Sequence, residues 1–477
     1  MKTREESDEP IESPVETLER MRDQAGADAR SEKGIFKRLG RAIRYGWLWL
    51  LVKAGRATWK KIAGVLVLVL AVILFISFSP LEEEPAYGLD HDFAIESNEF
   101  LSTISGATDT PFLPGNRIDI MPNGDRFYPE MLAGIEQAQK SVTVEAYIYW
   151  AGDIGRRFAD ALAAKASSGL QVKILLDAVG SSSISDDIMK KLTDGGCQVR
   201  WYRPVRWYTI RRFNNRTHRK SLIIDGRVGF TGGAGIADHW KGNAEDPDHW
   251  RDTQIRLEGP AVATLQAGFA RNWLETTDEL ISGEIYYPPY QTPGPLAVQS
   301  ILSSPETGSS TVRIMYYLSI VCARKSIFIA NPYFVPDEQA IRILAEAKQR
   351  GVDVKIMVSG KHNDNWLAHN NSTRLYGKLL EAGVEIYEYN KTMMHHKYMV
   401  CDGVWSTVGT TNFDNRSFAL NDENNVCVYD HSFASQWSQM FLTDIADCDL
   451  VDLETWRNRG VTRKLSEALA SILRDQV

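Results

Sequence analysis

THRKSLIID (residues 217–225) and HHKYMVCD (residues 395–402) carry the same signature, H-x-K-x4-D: His218, Lys220 and Asp225 in the first, His395, Lys397 and Asp402 in the second. Seven residues past each Asp the chain reaches a turn opened by Gly, GGAG from Gly232 and GTTN from Gly409. Background composition gives one such match in roughly one chain in tens, and two far more rarely. Two histidines and two lysines can surround one phosphate. One imidazole attacks phosphorus, the other handles protons, and the ammonium groups offset the charge on the oxygens. The residues point to phosphodiester chemistry through a covalent histidine intermediate. That chemistry requires no metal and no cofactor, because lysines and histidines supply the electrostatics.

The two copies sit inside a longer internal repeat. AQKSVTVEAYIYW, from Ala138, parallels ARKSIFIANPYFV from Ala323. GLQVKILLD, from Gly169, parallels GVDVKIMVS from Gly351, and GGCQVRWY, from Gly195, parallels AGVEIYEY from Ala382. Each segment joins an alternating or continuous apolar strand pattern to a flanking helical one. The expected fold is α/β, in two tandem halves related by a pseudo-twofold axis that lets both signatures meet in one cleft. Two long units are too few and too large for a solenoid. Residues i and i+2 on a strand face the same side, so Lys220 and Lys397 should project beside His218 and His395. His396 has the wrong spacing to Lys397 and is read as a bystander.

These residues resemble the phospholipase D superfamily, in which paired motifs of this type form one active site. The resemblance covers roughly residues 110 to 477. FTGG (230–233), WRDTQIRLEGPAV (250–262), IANPYFVPD (329–337) and STVGTTNFDNRSFALNDE (406–423) look most like the bacterial cardiolipin synthase branch. The resemblance implies two phospholipase D-like halves, with His218 as nucleophile. It makes His395 the acid that protonates the departing alcohol and the base that then activates the second one. Asp225 and Asp402, each before an Asp-Gly turn, would support the fold more than the chemistry. Glu423, 28 residues after His395, matches the downstream carboxylate expected to orient a histidine, with Asp252 as its counterpart in the first half. Asn412 would donate to a nonbridging phosphate oxygen. Gly235 stands where the first half normally has Asn, so one donor is missing unless a backbone N–H or water replaces it.

Length and composition fit a membrane-attached enzyme. A chain of 477 residues has material for two domains and an anchor, and a net charge of −7 excludes a globally basic nucleic-acid binder. Five cysteines are scattered without C-x-x-C spacing, which suggests neither zinc nor a disulfide framework. Residues 1–33 read as a disordered cytoplasmic tail. Residues 34–61 form a basic segment: nine Lys or Arg and no acidic residue lie between 33 and 61, with Phe36, Leu39, Ile43 and Trp47 on one helical face. That pattern suits an interfacial helix or a solvated basic linker. IAGVLVLVLAVILFISFS, residues 62–79, carries no charge and is long enough to span a bilayer. Basic residues before it and Glu82, Glu83 and Glu84 after it place the N-terminus in the cytoplasm of a bacterial cell and the catalytic region outside, on a single-pass inner-membrane protein. Residues 80–109 read as a polar tether, 110–295 as the first half and 296–477 as the second.

Between Tyr202 and His218 the first half carries about ten more residues than the second has before His395. This insert, RPVRWYTIRRFNNR from Arg203, mixes five Arg with three aromatics, among them Trp207. Arg211, Arg212 and Trp207 suit an anionic lipid headgroup at a membrane interface; single-stranded nucleic acid and a packed structural loop are the other readings. Three functions stay open on these grounds. A phosphatidyl transferase joining a phosphatidyl group to an alcohol ranks first, with an anionic phospholipid in a membrane as partner and no nucleic acid. A hydrolase, on lipid before nucleic acid, ranks second, and a catalytically silent membrane-binding protein third.

Overall fold

The computed structural model describes residues 93–204, 214–305 and 311–476, with a few single positions before residue 93. The chain divides into two units, residues 1–79 and 80–477. Of the first, six positions between Lys61 and Leu68 are described, all helical. The tail, the basic segment and most of the expected span therefore lie outside the described residues. Among those described, no helix is long and apolar enough to cross a membrane.

The second unit is built on one long sheet. Its first seven strands are β1 (Leu113–Pro122), β2 (Ser141–Ala146), β3 (Gln171–Asp177), β4 (Gln198–Tyr202), β5 (Lys220–Ile224), β6 (Val228–Gly232) and β7 (Thr253–Glu258). The next five are β8 (Leu296–Ser303), β9 (Ser326–Ala330), β10 (Phe334–Val335), β11 (Asp353–Ser359) and β12 (Glu385–Tyr389). The last five are β13 (Tyr398–Cys401), β14 (Trp405–Gly409), β15 (Phe413–Asp414), β16 (Glu423–Tyr429) and β17 (Cys448–Leu450). The helices of the first half are α1 (Asn98–Ala107), α2 (Gly124–Gln137), α3 (Asp153–Ser167), α4 (Asp186–Asp194) and α5 (Val262–Thr277). Those that follow are α6 (Thr311–Cys322), α7 (Glu338–Gln349), α8 (Trp366–Glu381), α9 (Asn415–Ala419), α10 (His431–Asp444), α11 (Leu453–Arg457) and α12 (Val461–Ala470).

Fifteen strands run in the order β17-β12-β11-β9-β13-β14-β16-β8-β1-β7-β6-β5-β2-β3-β4. Apart from the edge strand β17, the order reads the same outward in both directions from the β8–β1 seam. In each half three parallel strands (β2, β3, β4; β9, β11, β12) adjoin three antiparallel ones (β5, β6, β7; β13, β14, β16). The repeat read from the sequence maps onto β2 and β9, β3 and β11, and β4 and β12. Strand β2, SVTVEA, is buried along its whole length, as expected of a parallel strand covered on both faces. Helix α3 contributes to that cover with Ile154, Phe158 and Leu162 on one face, the spacing of an amphipathic helix.

The signature aspartates brace this sheet. Asp225 and Asp402 follow the last residues of β5 and β13, each at φ 53°, a left-handed conformation that Asp adopts more readily than most residues. Asp225 accepts from the N–H groups of Gln139, Lys140 and Ser141 at 2.9, 2.7 and 2.9 Å. Asp402 does the same for Arg324, Lys325 and Ser326 at 2.8, 2.7 and 2.9 Å. Each carboxylate thus pins the start of its half's first parallel strand, at the opposite end of β5 or β13 from the histidine.

Within the stretch read as a tether, residues 80–109, the part from Phe93 onward is folded and holds α1. Ile95, Phe100 and Ile104 are fully buried, Phe100 meets Trp405 edge-on at 5.2 Å, and Ile95 N–H donates to the Cys322 carbonyl at 2.9 Å. Three apolar residues in a polar stretch are enough to dock α1 on the second half, because burying each contributes about 1.5–3 kcal/mol.

Candidate active site

Each signature histidine lies just ahead of a strand and is strapped to the other half of the molecule. His218 N–H donates to the Asp422 carbonyl at 2.9 Å, and Asp422 N–H donates to that of Arg216 at 2.9 Å. The mirror pair is His395 N–H to the Arg251 carbonyl at 2.7 Å and Arg251 N–H to that of Met393 at 2.8 Å. These short parallel bridges put the start of β16 beside His218 and the start of β7 beside His395.

The carboxylates consequently cross over. His218 Nδ1 lies 2.8 Å from Glu423 Oε1, and His395 Nδ1 lies 2.9 Å from Asp252 Oδ2. The sequence reading offered one carboxylate from each half; the straps join each histidine to the opposite half, so each carboxylate serves the other half's histidine. A carboxylate can only accept, so Nδ1 of each ring carries its hydrogen and Nε2 is the basic nitrogen. Both carboxylates are fully buried and each is held a second time. Thr410 Oγ1 donates to Glu423 at 2.5 Å, and Trp240 Nε1 donates to Asp252 at 2.8 Å.

The lysines complete the cluster. Lys220 Nζ donates to the His218 carbonyl at 2.9 Å, and Lys397 Nζ lies 3.0 Å from His395 Nε2. Burial pulls His218 down to about 4 against the opposing pull of Glu423, with Lys220 and Lys397 adding to the fall. Burial, then Lys397, lowers His395. Burial also brings Lys220 down to about 8 and Lys397 to about 7, with the charge of Lys220 adding to the fall of Lys397. Burial works to raise Asp252, yet its bond from His395 and the positive charges beside it leave it below the usual carboxylate range. Charges from the two halves thus act on one another, Lys397 on His218 and Lys220 on Lys397, which places both signatures at one site. Neutral imidazoles, paired ammonium groups and buried carboxylates are the parts list for attack on a phosphodiester anion.

The remaining predicted residues fall out unevenly. Asn412 is buried, its side-chain Oδ1 has no hydrogen-bond partner among the described residues, and its N–H donates to Ser417 Oγ at 3.2 Å. At Gly235 an added Cβ would stand 2.9 Å from the Ile148 side chain, so Ile148 fills the space an Asn would need. His396 is buried and held neutral, well below the usual histidine range, by burial and Arg251; its Nδ1 lies 3.4 Å from Thr253 Oγ1. Arg211, Arg212 and Trp207 lie outside the described residues. Two arginines counted with that insert prove internal: Arg203 pairs with Glu275 at 2.9 Å, and Arg216, buried, approaches Asp177 at 3.6 Å. Glu245, Asp246 and His249 gather three possible metal ligands outside the two signatures, the acidic pair exposed.

The description "Cardiolipin synthase, PLD-like domain" belongs to a family model that matches residues 131–273 and 319–445. The chain belongs to this family. The cardiolipin synthase of Alkalihalophilus pseudofirmus is 34% identical over 357 residues, 74% of this chain and 71% of that protein. The cardiolipin synthase of Clostridium perfringens strain 13 is 33% identical over 367 residues, 75% of this chain and 76% of that one. Among solved structures, the phosphatidylserine synthase of Haemophilus influenzae Rd KW20 superposes with a TM-score of 0.62 at 17% identity, over 80% of this chain and all of that one. That likeness is one of fold.

Trp240 and Thr410 are the site residues that sequence reasoning missed. Thr410 stood inside the quoted GTTN turn, overshadowed by Asn412. Trp240 carries no motif; it lies within ring contact of His395 at 5.4 Å, and only the folded chain brings it there.

Proposed function

We propose that this chain is a membrane-bound cardiolipin synthase that joins two phosphatidylglycerol molecules through a phosphatidyl-histidine intermediate. The observation that carries the reading is the crossed pair of buried His–carboxylate contacts, His218 with Glu423 and His395 with Asp252, in a family of cardiolipin synthases. His218 Nε2 attacks phosphorus; the P–O bond to the first glycerol breaks, and that oxygen takes a proton from His395. His395, now neutral, removes the proton from the hydroxyl of the second phosphatidylglycerol. The new P–O bond forms as the P–N bond breaks, which returns His218 to its neutral state. Lys220 and Lys397 hold the phosphate oxygens throughout, with Asn412 as a further donor. The incoming phosphodiester anion raises His395 and both lysines toward their charged forms, since a nearby negative charge favours the cation.

Residues 62–79 anchor the protein as a single span, with the N-terminus cytoplasmic and the catalytic unit outside. What supports this is the uncharged stretch, the nine basic residues before it and the acidic triplet after it. Arg211, Arg212 and Trp207 bind the anionic lipid headgroup, a reading supported by the mix of five Arg and three aromatics in their segment. Lipid mass analysis after incubating the purified protein with phosphatidylglycerol vesicles tests the reaction. Cardiolipin plus glycerol is the expected outcome; phosphatidic acid plus glycerol would make the protein a hydrolase.

A further inference from the structure

Helix α12 is amphipathic the wrong way round for a helix on a water-soluble surface. Its inward face is polar or small. Glu467, buried, pairs with Arg459 at 2.7 Å, Ser466 donates to Asn370 at 2.9 Å, and the Ala470 carbonyl accepts from Asn371 at 3.1 Å. Its outward face carries Val461, Leu465 and Leu469, 82%, 61% and 57% exposed, and Ile472 just beyond is 77% exposed. Spacings of four keep these side chains on one stripe. An ordinary surface helix buries its apolar stripe and shows water its charges; here the polar face is consumed by packing on α8 and the leucines are left outside.

Two further observations say what covers the stripe. Arg463, about half exposed, and Lys464, exposed, add positive charge to the same helix, the composition that binds an anionic lipid surface. Trp366, 60% exposed, opens α8 one turn before the asparagines that hold α12. Two residues ahead of it, Asp364 accepts from Tyr333 OH at 2.5 Å, and the Tyr333 ring stands 6.1 Å from that of His395. Helix α8 therefore joins the element that carries the stripe to the aromatic side of the site, and its exposed indole suits the headgroup level of a bilayer.

We propose that the outward face of α12, with Trp366 beside it, is a lipid-docking surface that seats the mouth of the active site on an anionic bilayer. This deepens the reading above, because it supposes that the cleft takes its substrate from a membrane. The helix lies in the interface with its leucines among the upper acyl chains. Arg463 and Lys464 stay with the headgroups, and Trp366 marks the boundary.

The test uses the full-length protein reconstituted in phosphatidylglycerol vesicles, with an environment-sensitive fluorophore on Leu469→Cys and, as control, on Lys190→Cys of α4. The expected result is a blue shift at position 469, quenching by lipids spin-labelled near the headgroup and shielding from aqueous iodide, with none of these at 190. Iodide quenching at 469 equal to that at 190 would overturn the proposal. So would shielding without lipid quenching accompanied by cross-linking between copies, which would give the face to a second copy of the chain. As a functional arm, Leu465→Glu with Leu469→Glu should raise KM on vesicles roughly tenfold and leave turnover of a short-chain, monomeric phosphatidylglycerol unchanged. Equal losses on both substrates would overturn it. The fluorescence arm needs no catalysis, so lipid quenching in a protein that makes no cardiolipin would sink the proposed function and leave the docking surface standing.

Discussion

The two halves share a frame and differ in what backs each histidine. Behind His218 lies a buried charged network. Thr217 Oγ1 and Asn272 Nδ2 donate to Glu145 at 2.6 and 2.7 Å, Tyr202 OH donates to Asp422 at 2.7 Å, and Arg216 faces Asp177. The repeat puts Ala330, Ser359, Met393 and Met394 at the places of Glu145, Asp177, Arg216 and Thr217, and all four are buried. In front, the contrast is aromatic. Trp240, Trp250 and Tyr333 stand 5.4, 5.5 and 6.1 Å from the His395 ring, whereas Tyr147 approaches His218 at 5.1 Å. A twofold repeat supplies two equal histidines, but a two-step transfer needs unequal ones. The inequality is written in residues outside the motif.

The sharpest way to break this comparison is to remove the crossed carboxylates one at a time. Glu423→Gln should slow formation of the histidine adduct, because it disturbs the tautomer and the charge partner of His218. Asp252→Asn should instead slow proton transfer at His395; with an activated leaving group, which needs little acid, adduct breakdown suffers most. Losses on the order of 10³ to 10⁴ in kcat are expected for each. Rapid-quench kinetics with separate measurement of adduct formation and decay checks this; equal effects on both steps would erase the distinction between the halves.

pH sharpens it next. His218 must be neutral to attack, so kcat/KM should fall tenfold per unit only below pH about 4. His395 must be protonated, and its lowered pKa puts the alkaline fall of kcat/KM below pH 6.5, reinforced as Lys397 and Lys220 discharge near 7 and 8. Optimal kcat/KM therefore lies on the acid side of neutrality. In kcat the alkaline limb moves up, since bound phosphodiester favours the protonated forms. An acid limb at pH 6.5 or above in kcat/KM would mean that His218 is an ordinary exposed imidazole.

A smaller effect separates anchoring from chemistry. Thr410→Val keeps the shape but removes one of two hydrogen bonds to Glu423, a loss of about 1–1.5 kcal/mol or roughly tenfold in rate. It should fall on adduct formation alone, as for Glu423→Gln in milder form. A loss in thermal stability with unchanged kinetics would make Thr410 a packing residue.

Much of this molecule is legible in the chain. The repeat shows because strand periodicity, Asp-Gly turns and the H-x-K-x4-D spacing recur together, and β2, β3 and β4 have their partners where the aligned segments put them. Asp252 and Glu423 could be picked out as equivalents because each immediately precedes or opens the strand that follows a Gly-led turn. Which histidine each serves could not, since the crossing depends on straps between residues some 200 apart, such as His218 and Asp422. Local sequence carries no trace of such a contact. Helix α1 escaped notice because the polar start of its stretch, with Pro80, Pro85 and Gly88, set the reading, although Phe100 and Ile104 stand one turn apart. The ends of the insert could not be read as structural, because Arg203 and Arg216 answer acids distant in sequence, Glu275 and the buried Asp177.

Trapping the adduct tests the central claim, that one cleft holds two histidines with different duties. A labelled phosphodiester with an activated leaving group needs little proton donation, so it should label the native protein and His395→Ala alike. In the variant the adduct should persist, because no base is left to activate the second alcohol. Peptide mapping should put the label on His218 in both, and His218→Ala should carry none. Label on His395 with none on His218 would show the roles exchanged. Label on neither, in a protein that still turns over, would contradict the covalent mechanism altogether.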